Sequence, residues 1–284
     1  MLYLILSILC SVTVGIIFKV ASRYNITITQ VVAFNYTFAL LLCYLFFKPD
    51  LNVVGPSANW PVYIALSVLL PSIFLMLAAS IRFMGIVKTD AAQRLSLFIP
   101  ILAAWFIFGE QFNLYKLIGL AIGFPAIILI FCKPDANTGN KWHYPALVLL
   151  GFGIIDVLFK QVVGSAVPYT TSLFIVFCGA LAVAACIVLY QVIIGKNKPA
   201  LINLAFGALV GIFNFGNILF YLLAHKEFSD NPSTVFASMN MGVIVVGSLA
   251  GILIFKEKLN RLNYMGILMA LLAIVFVTLL QVYA

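Results

Sequence analysis

Charge is what this chain has least of. Asp, Glu, Lys and Arg together make up 8% of its 284 residues, against about 25% in an average soluble domain, so a surface of ordinary polarity facing water is excluded. Histidine is reduced to His143 and His225, neither in a metal-ligand pattern such as His-Glu-x-x-His. The five cysteines, Cys10, Cys43, Cys132, Cys178 and Cys186, lie in or at the ends of apolar stretches without metal-ligand spacing, which leaves them as small packing residues. A Gly-rich phosphate loop closed by Lys-Ser/Thr is missing, and with it ATP-driven pumping by this chain. No nucleophile and base converge in the sequence, so an enzyme is not expected, and no cofactor or metal is implied. Met1 runs straight into an apolar segment with no Lys or Arg before it, unlike the n-region of a signal peptide, so the first segment is expected to be retained. The formal net charge of +8 is scattered over short loops, which argues against a nucleic-acid partner.

What is abundant is apolar sequence, 64% of the residues, in runs of the length that a bilayer-crossing helix needs, about 20 residues. A bilayer offers backbone groups no water, so a span is a helix or part of a closed barrel. The runs lack period-two alternation and exceed barrel-strand length, which predicts an all-α membrane protein. Ten transmembrane helices are expected, at roughly 2–21, 30–47, 61–83, 90–109, 114–132, 144–163, 170–194, 200–224, 232–255 and 261–283. Breakers mark the joints: Lys48-Pro49-Asp50, Trp60-Pro61, Lys133-Pro134-Asp135, Lys198-Pro199 and Asn231-Pro232.

The chain also repeats itself. Phe108-Gly109-Glu110-Gln111-Phe112-Asn113 runs through five residues to Gly119, and Phe255-Lys256-Glu257-Lys258-Leu259-Asn260 runs through five to Gly266, 147 positions later. Phe18-Lys19 and Phe159-Lys160 are 141 positions apart, as are the stretches from Thr29 and Thr170. Two five-helix repeats are therefore expected, 1–135 and 136–284, forming one membrane domain. An odd helix number per repeat inverts one copy against the other, a transporter signature. Loops on the side of the termini hold Lys48, Lys116 and Lys226, whereas the other side holds ten basic residues, including Arg23, Arg82, Lys88, Lys133 and Lys258. The positive-inside rule then puts the termini outside.

Ten spans in two halves, each closed by a Glu-x-x-Asn-x5-Gly hairpin, resemble the drug/metabolite transporter superfamily, EamA type. The resemblance covers nearly the whole chain, and Pro100 matches a proline common in the fourth helix of that family. It implies a solute transporter of a bacterial inner (plasma) membrane with cytoplasmic termini, opposite to the charge count. Two departures matter. Asn35 stands near the place where many relatives carry Arg, and Val14-Gly15 near a Trp-Gly pair, so substrate classes of familiar relatives do not carry over.

Candidate functional residues are the polar groups inside apolar segments, since an ionisable group at mid-bilayer costs about 3 kcal/mol or more. Lys19 and Lys160 occupy equivalent places in the leading helix of each repeat and are read as two cations for an anionic substrate group, with snorkelling to the interface as the bland account. Asp156 precedes Lys160 by four residues, on one helix face, and is the candidate proton-coupling group; a static ion pair is its alternative. Gln93 in the fourth span corresponds to Asn240 in the ninth. Asn214, Asn217 and Tyr221 form one stripe of the eighth, joined by Asn35 and Tyr36 of the second. Interhelical hydrogen bonding competes with substrate binding for these groups. Arg94 is read as a shallow anchor or as a third cation for the substrate, and Tyr63 as an interface-belt residue. Gly119, Gly123, Gly266 and Ala270 give the fifth and tenth spans small-residue faces, which are expected to lie away from the cavity and hold the halves, or two protomers, together. Gly207, Gly211, Gly247 and Gly251 are read as looser sliding contacts. Glu110 and Glu257 are expected to tie down their own hairpins.

These readings converge on a secondary transporter of a small carboxylate-bearing metabolite such as an amino acid, working by alternating access, proton-coupled or exchanging, as a monomer or homodimer in the lipid bilayer. A lipophilic-cation exporter using Asp156 and aromatic faces is the alternative within that class. An intramembrane enzyme or a scaffold is the alternative outside it.

Overall fold

The computed structural model describes residues 1–55, 58–106, 114–131, 141–163, 166–195, 198–228 and 232–283. They form α1 (Leu2–Ala21), α2 (Ile28–Phe47), α3 (Trp60–Met84), α4 (Ile86–Leu95), α5 (Phe98–Phe106), α6 (Leu114–Phe131), α7 (His143–Val163), α8 (Tyr169–Ile193), α9 (Leu201–Glu227), α10 (Pro232–Leu249) and α11 (Arg261–Tyr283). No strand occurs among the described residues. Among the described residues, six helices, α1, α2, α3, α7, α8 and α9, are each long and apolar enough to cross a membrane, and shorter apolar helices cover Leu117–Ile130, Ser238–Ile254 and Arg261–Phe276.

The helix ends follow from the breakers. Lys48 closes α2 in the left-handed region (φ 46), just before Pro49, and Pro61 sits in the first turn of α3, where its missing N–H costs nothing. Asn260 caps α11 by accepting from the Asn263 N–H at 2.7 Å, while Asn263 Oδ1 accepts from the Asn260 N–H at 3.2 Å. This reciprocal cap is the amide version of a capping box. The fourth expected span departs from a single helix: it holds α4 and α5, separated at Ser96–Leu97. Pro100 is the cause. It has no N–H for the Ser96 carbonyl and its ring crowds that position, so Ile99 N–H donates to Ser96 O instead, at 2.9 Å. α10 runs on into a π-turn, Ala250–Ile254.

Packing pairs the helices across the sequence halves. α2 lies on α8 and α9, α3 on α7 and α8, α1 on α9 and α10, and α7 on α4 and α5. One core is shared by α1, α2, α3, α7, α8 and α9, centred on Tyr36, Phe74, Phe177 and Phe215. A second joins α4, α6, α10 and α11. α6 and α11 pack on one another: a Cβ on Gly266 would come within 2.9 Å of the Ile130 backbone nitrogen, and the Asn263 amide donates to the carbonyls of Leu129 and Ile130.

Three local expectations change. Gly207 and Gly211 are close-packed rather than loose, since a Cβ on Gly211 would stand 2.6 Å from the Asn35 carbonyl oxygen of α2. Tyr63 is 1% exposed, with its hydroxyl 2.8 Å from Ser172 Oγ in α8, so it belongs to the core and not to an interface belt. Arg82 and Lys88, counted above as loop charges, lie in the last turn of α3 and the first of α4. Lys88 is buried, which removes it from any surface count.

Candidate functional site

The break after α4 places two adjoining chambers between the halves. The larger, about 790 Å³, lies among α4, α7, α9 and α10, with Arg94, Asp156, Lys160, Tyr221 and Asn240 in its walls. The smaller, about 210 Å³, lies among α1, α2, α3, α4, α7, α8 and α9, and carries Ser11, Tyr36, Asp90 and Asn214. Gln93, Asp156 and Asn217 line both, together with the rings of Phe152, Phe159 and Tyr169. Apolar rings and a few convergent polar groups are the usual make-up of a small-molecule site.

Each polar group owes its place to its helix. Arg94 occupies the last turn of α4, where the helix end favours a cation; because that end is an internal break, Arg94 faces the cavity rather than the membrane surface. Its Nη2 donates to Ser11 Oγ of α1 at 2.8 Å, while its buried Nε has no partner. Its charge acts on Asp90, one turn back, and on Asp156 of α7. Asp156 and Lys160, one turn apart on α7, are both solvent-exposed; given their place in the walls, the water they meet is that of the larger chamber.

The stripe on α9 is held by neighbours. Asn214 Nδ2 donates to Asn35 Oδ1 at 3.2 Å, and Asn217 Oδ1 accepts from Ser7 Oγ of α1 at 2.8 Å. Asn35 is fully buried behind the wall and its Nδ2 has no partner; the Tyr36 hydroxyl, which faces the smaller chamber, also lacks one. Of the residues singled out in the sequence, Tyr36 and Asn214 line the smaller chamber, Lys160, Tyr221 and Asn240 the larger, and Gln93, Asp156 and Asn217 both.

Lys19 is elsewhere. Its ammonium lies 3.2 Å from Glu257 Oε1 and donates to the Ile81 carbonyl, and it lines neither chamber. Glu257 does not serve its own hairpin. Its carboxylate accepts from the backbone N–H groups of Ile86 at 2.8 Å and Val87 at 3.2 Å, capping α4 from the far end of the chain at the favourable pole of the helix dipole. Gly85 makes room for this: its φ of 89° suits glycine, and a Cβ there would meet Glu257 Oε2 at 2.5 Å. Glu110, its sequence counterpart, lies outside the described residues, as does Cys132.

Sequence reasoning missed Asp90, Ser11 and Gly15 as site residues and read Gly247 and Gly251 as loose sliding contacts, whereas they pack closely on Asp90 and Val87. Asp90 was hidden by starting the fourth span at residue 90, which made it a surface residue; the helix begins four residues earlier. Asp90 and Arg94 at a four-residue spacing were the signal available.

Residues 1–132 match the model of the EamA-like transporter family. An uncharacterised protein of Haemophilus influenzae is 41% identical over 281 residues, covering 95% of each chain. A solved crystal structure superposes with a TM-score of 0.62 over 98% of this chain and 96% of its own, at 13% identity, a likeness of fold alone.

Proposed function

This chain belongs to the EamA-like transporter family, and on that premise we propose that it carries a small carboxylate-bearing solute by alternating access through the cavity between its halves. As a family member it is an integral membrane protein that transports small solutes; the solute class, the mechanism and placement in a bacterial inner membrane are the proposal. The observation that carries it is Arg94 and Lys160 facing one chamber together with the amides of Gln93, Asn217 and Asn240, since ionisable groups retained among membrane helices mark functional sites by default.

Ten spans in two inverted repeats are supported by the packing, because the helix contacts come in couples that exchange the repeats. α1 on α9 matches α7 on α3, and α1 on α10 matches α7 on α4 and α5. α6 on α11 is its own counterpart. In this arrangement the cavity lies at the repeat interface, where transporters bind their cargo.

Arg94 and Lys160 take the carboxylate, Asn214, Asn217 and Asn240 orient the rest of the solute, and a proton on Asp156 or Asp90 supplies coupling. Lys19 and Glu257 hold the helices on one side of the cavity together. The test is a thermal-shift screen of purified protein against monocarboxylates, dicarboxylates, L-amino acids and lipophilic cations. Carboxylates should stabilise the wild type, as any ligand stabilises the state it binds, and Arg94→Ala or Lys160→Ala should weaken that stabilisation at least about tenfold in concentration, the loss of one charge-assisted bond. Stabilisation by lipophilic cations alone, abolished by Asp156→Asn, would establish the cation-exporter reading instead.

A further inference from the structure

The smaller chamber holds a carboxyl that the sequence reading did not use. Asp90 is 6% exposed, and its buried Oδ2 has no hydrogen-bond partner. It is wedged between two glycines: a Cβ on Gly247 of α10 would lie 2.1 Å from Oδ2, and one on Gly15 of α1 3.9 Å from Oδ1. An ionised carboxylate buried with an orphan oxygen is strongly disfavoured. The cation best placed to relieve it, Arg94, is turned toward Ser11.

Among the described residues, the ionisable side chains lining the two chambers, tyrosines aside, are Asp90, Asp156, Arg94 and Lys160. With all four ionised their charges cancel, and a carboxylate entering would meet no net attraction. One proton on Asp90 leaves one net positive charge. From this balance, and resting on the carboxylate reading above, we infer that Asp90 is the proton-binding group of the transporter, and that its protonation releases Arg94 to bind the solute carboxylate. The proton comes from cavity water, forming the O–H bond of the acid on Asp90, and returns to water when Arg94 swings back to pair with the carboxylate. Proton and solute move together, so the loaded and empty carriers have the same net charge.

The surroundings of Asp90 fit this assignment. Arg94 on its own helix and Glu257 beyond α10 are the charges acting on it among the described residues, and Glu257 is occupied by Lys19 and the start of α4. The charges of Asp156 on α7 and Tyr221 on α9 act on Arg94. Asp156 is exposed at the larger chamber, whereas Asp90 is buried with an orphan oxygen.

Infrared difference spectroscopy of the full chain in lipid, titrated with acid and base alone, tests the protonation directly. The wild type should show a protonated-carboxyl C=O band at neutral pH that Asp90→Asn abolishes and Asp156→Asn retains. Ser11→Ala, which frees Arg94, should move the disappearance of that band to lower pH, and it serves as well if Asp90→Asn does not fold. A band that survives Asp90→Asn, or that is missing from the wild type at neutral pH, overturns the proposal. Coupling is read with benzoate as probe. Its affinity for the wild type should fall by about tenfold per pH unit once Asp90 deprotonates, the slope for one linked proton, and should be independent of pH in Asp90→Asn. Equal pH dependence in both overturns the coupling. If benzoate and the other carboxylates bind the wild type at no pH, the carboxylate reading fails, and the infrared band alone decides whether Asp90 holds a proton.

Discussion

At the scale of single residues, the chain spends its few charges in pairs that its helices would not make alone. Lys19 and Glu257, 20% and 10% exposed at the side chain, differ in what each would leave behind. Without Lys19, the Glu257 carboxylate keeps two backbone donors. Without Glu257, a buried helix start loses its acceptor and the Lys19 ammonium keeps only the Ile81 carbonyl. Glu257→Ala should therefore cost about 3 kcal/mol, as for a broken buried pair, and Lys19→Ala only about 1 kcal/mol. Melting curves in detergent should show the larger drop for Glu257→Ala; the reverse order would place the stabilisation in the Lys19 contacts instead. Gly247 is equally specific. Alanine there puts a methyl where Asp90 Oδ2 lies, an overpacking worth about 1–3 kcal/mol, and Asp90→Ala in the same chain should relieve it. A melting temperature for the double variant no higher than that of Gly247→Ala would separate the two residues.

At the scale of elements, the broken fourth span decides the site. Pro100 ends α4 inside the protein, so Gln93 and Arg94 sit at a helix end facing the cavity. Pro100→Ala returns the missing N–H and favours one continuous helix by up to about 3 kcal/mol. Its expected outcome is raised thermal stability with reduced solute binding, because Arg94 would rotate with the straightened helix. Unchanged binding in a stabilised variant would detach the break from the site. Nearly every helix was legible in the sequence, since α1, α7 and α11 start and stop within a residue of the apolar runs. The break was not. Its proline was visible, but prolines also sit inside α3 and α6 at Pro71 and Pro125 without splitting them. Whether a proline bends or divides a helix depends on what receives the freed carbonyl, and that is set by neighbours distant in the chain.

At the scale of the whole molecule, the larger chamber should be open toward one side of the membrane at a time. Leu222 lines that chamber, and Leu222→Cys, in a background whose five native cysteines are replaced by alanine, offers one thiol there. A membrane-impermeant maleimide should label it from one face only in the wild-type frame, and Glu257→Ala should admit label from the other face by loosening the tie between Lys19 and α4. Equal labelling from both faces before that change would rule out alternating access through this cavity.

The sequence by itself determined the all-helical membrane class, the positions of the helices and most of the cavity's polar side chains. Apolar run length and breakers are local properties, and the bilayer punishes any uncompensated polar group wherever it falls. Tertiary structure decided which polar groups meet. It drew Glu257 across the chain to cap α4 and hold Lys19, so the symmetric pair of lysines is split between a structural tie and a cavity wall. It closed Gly15 and Gly247 on Asp90, leaving that carboxyl buried with an orphan oxygen beside an arginine turned away. Such partnerships depend on distances between segments far apart in the chain, and no periodicity or spacing along the chain records them.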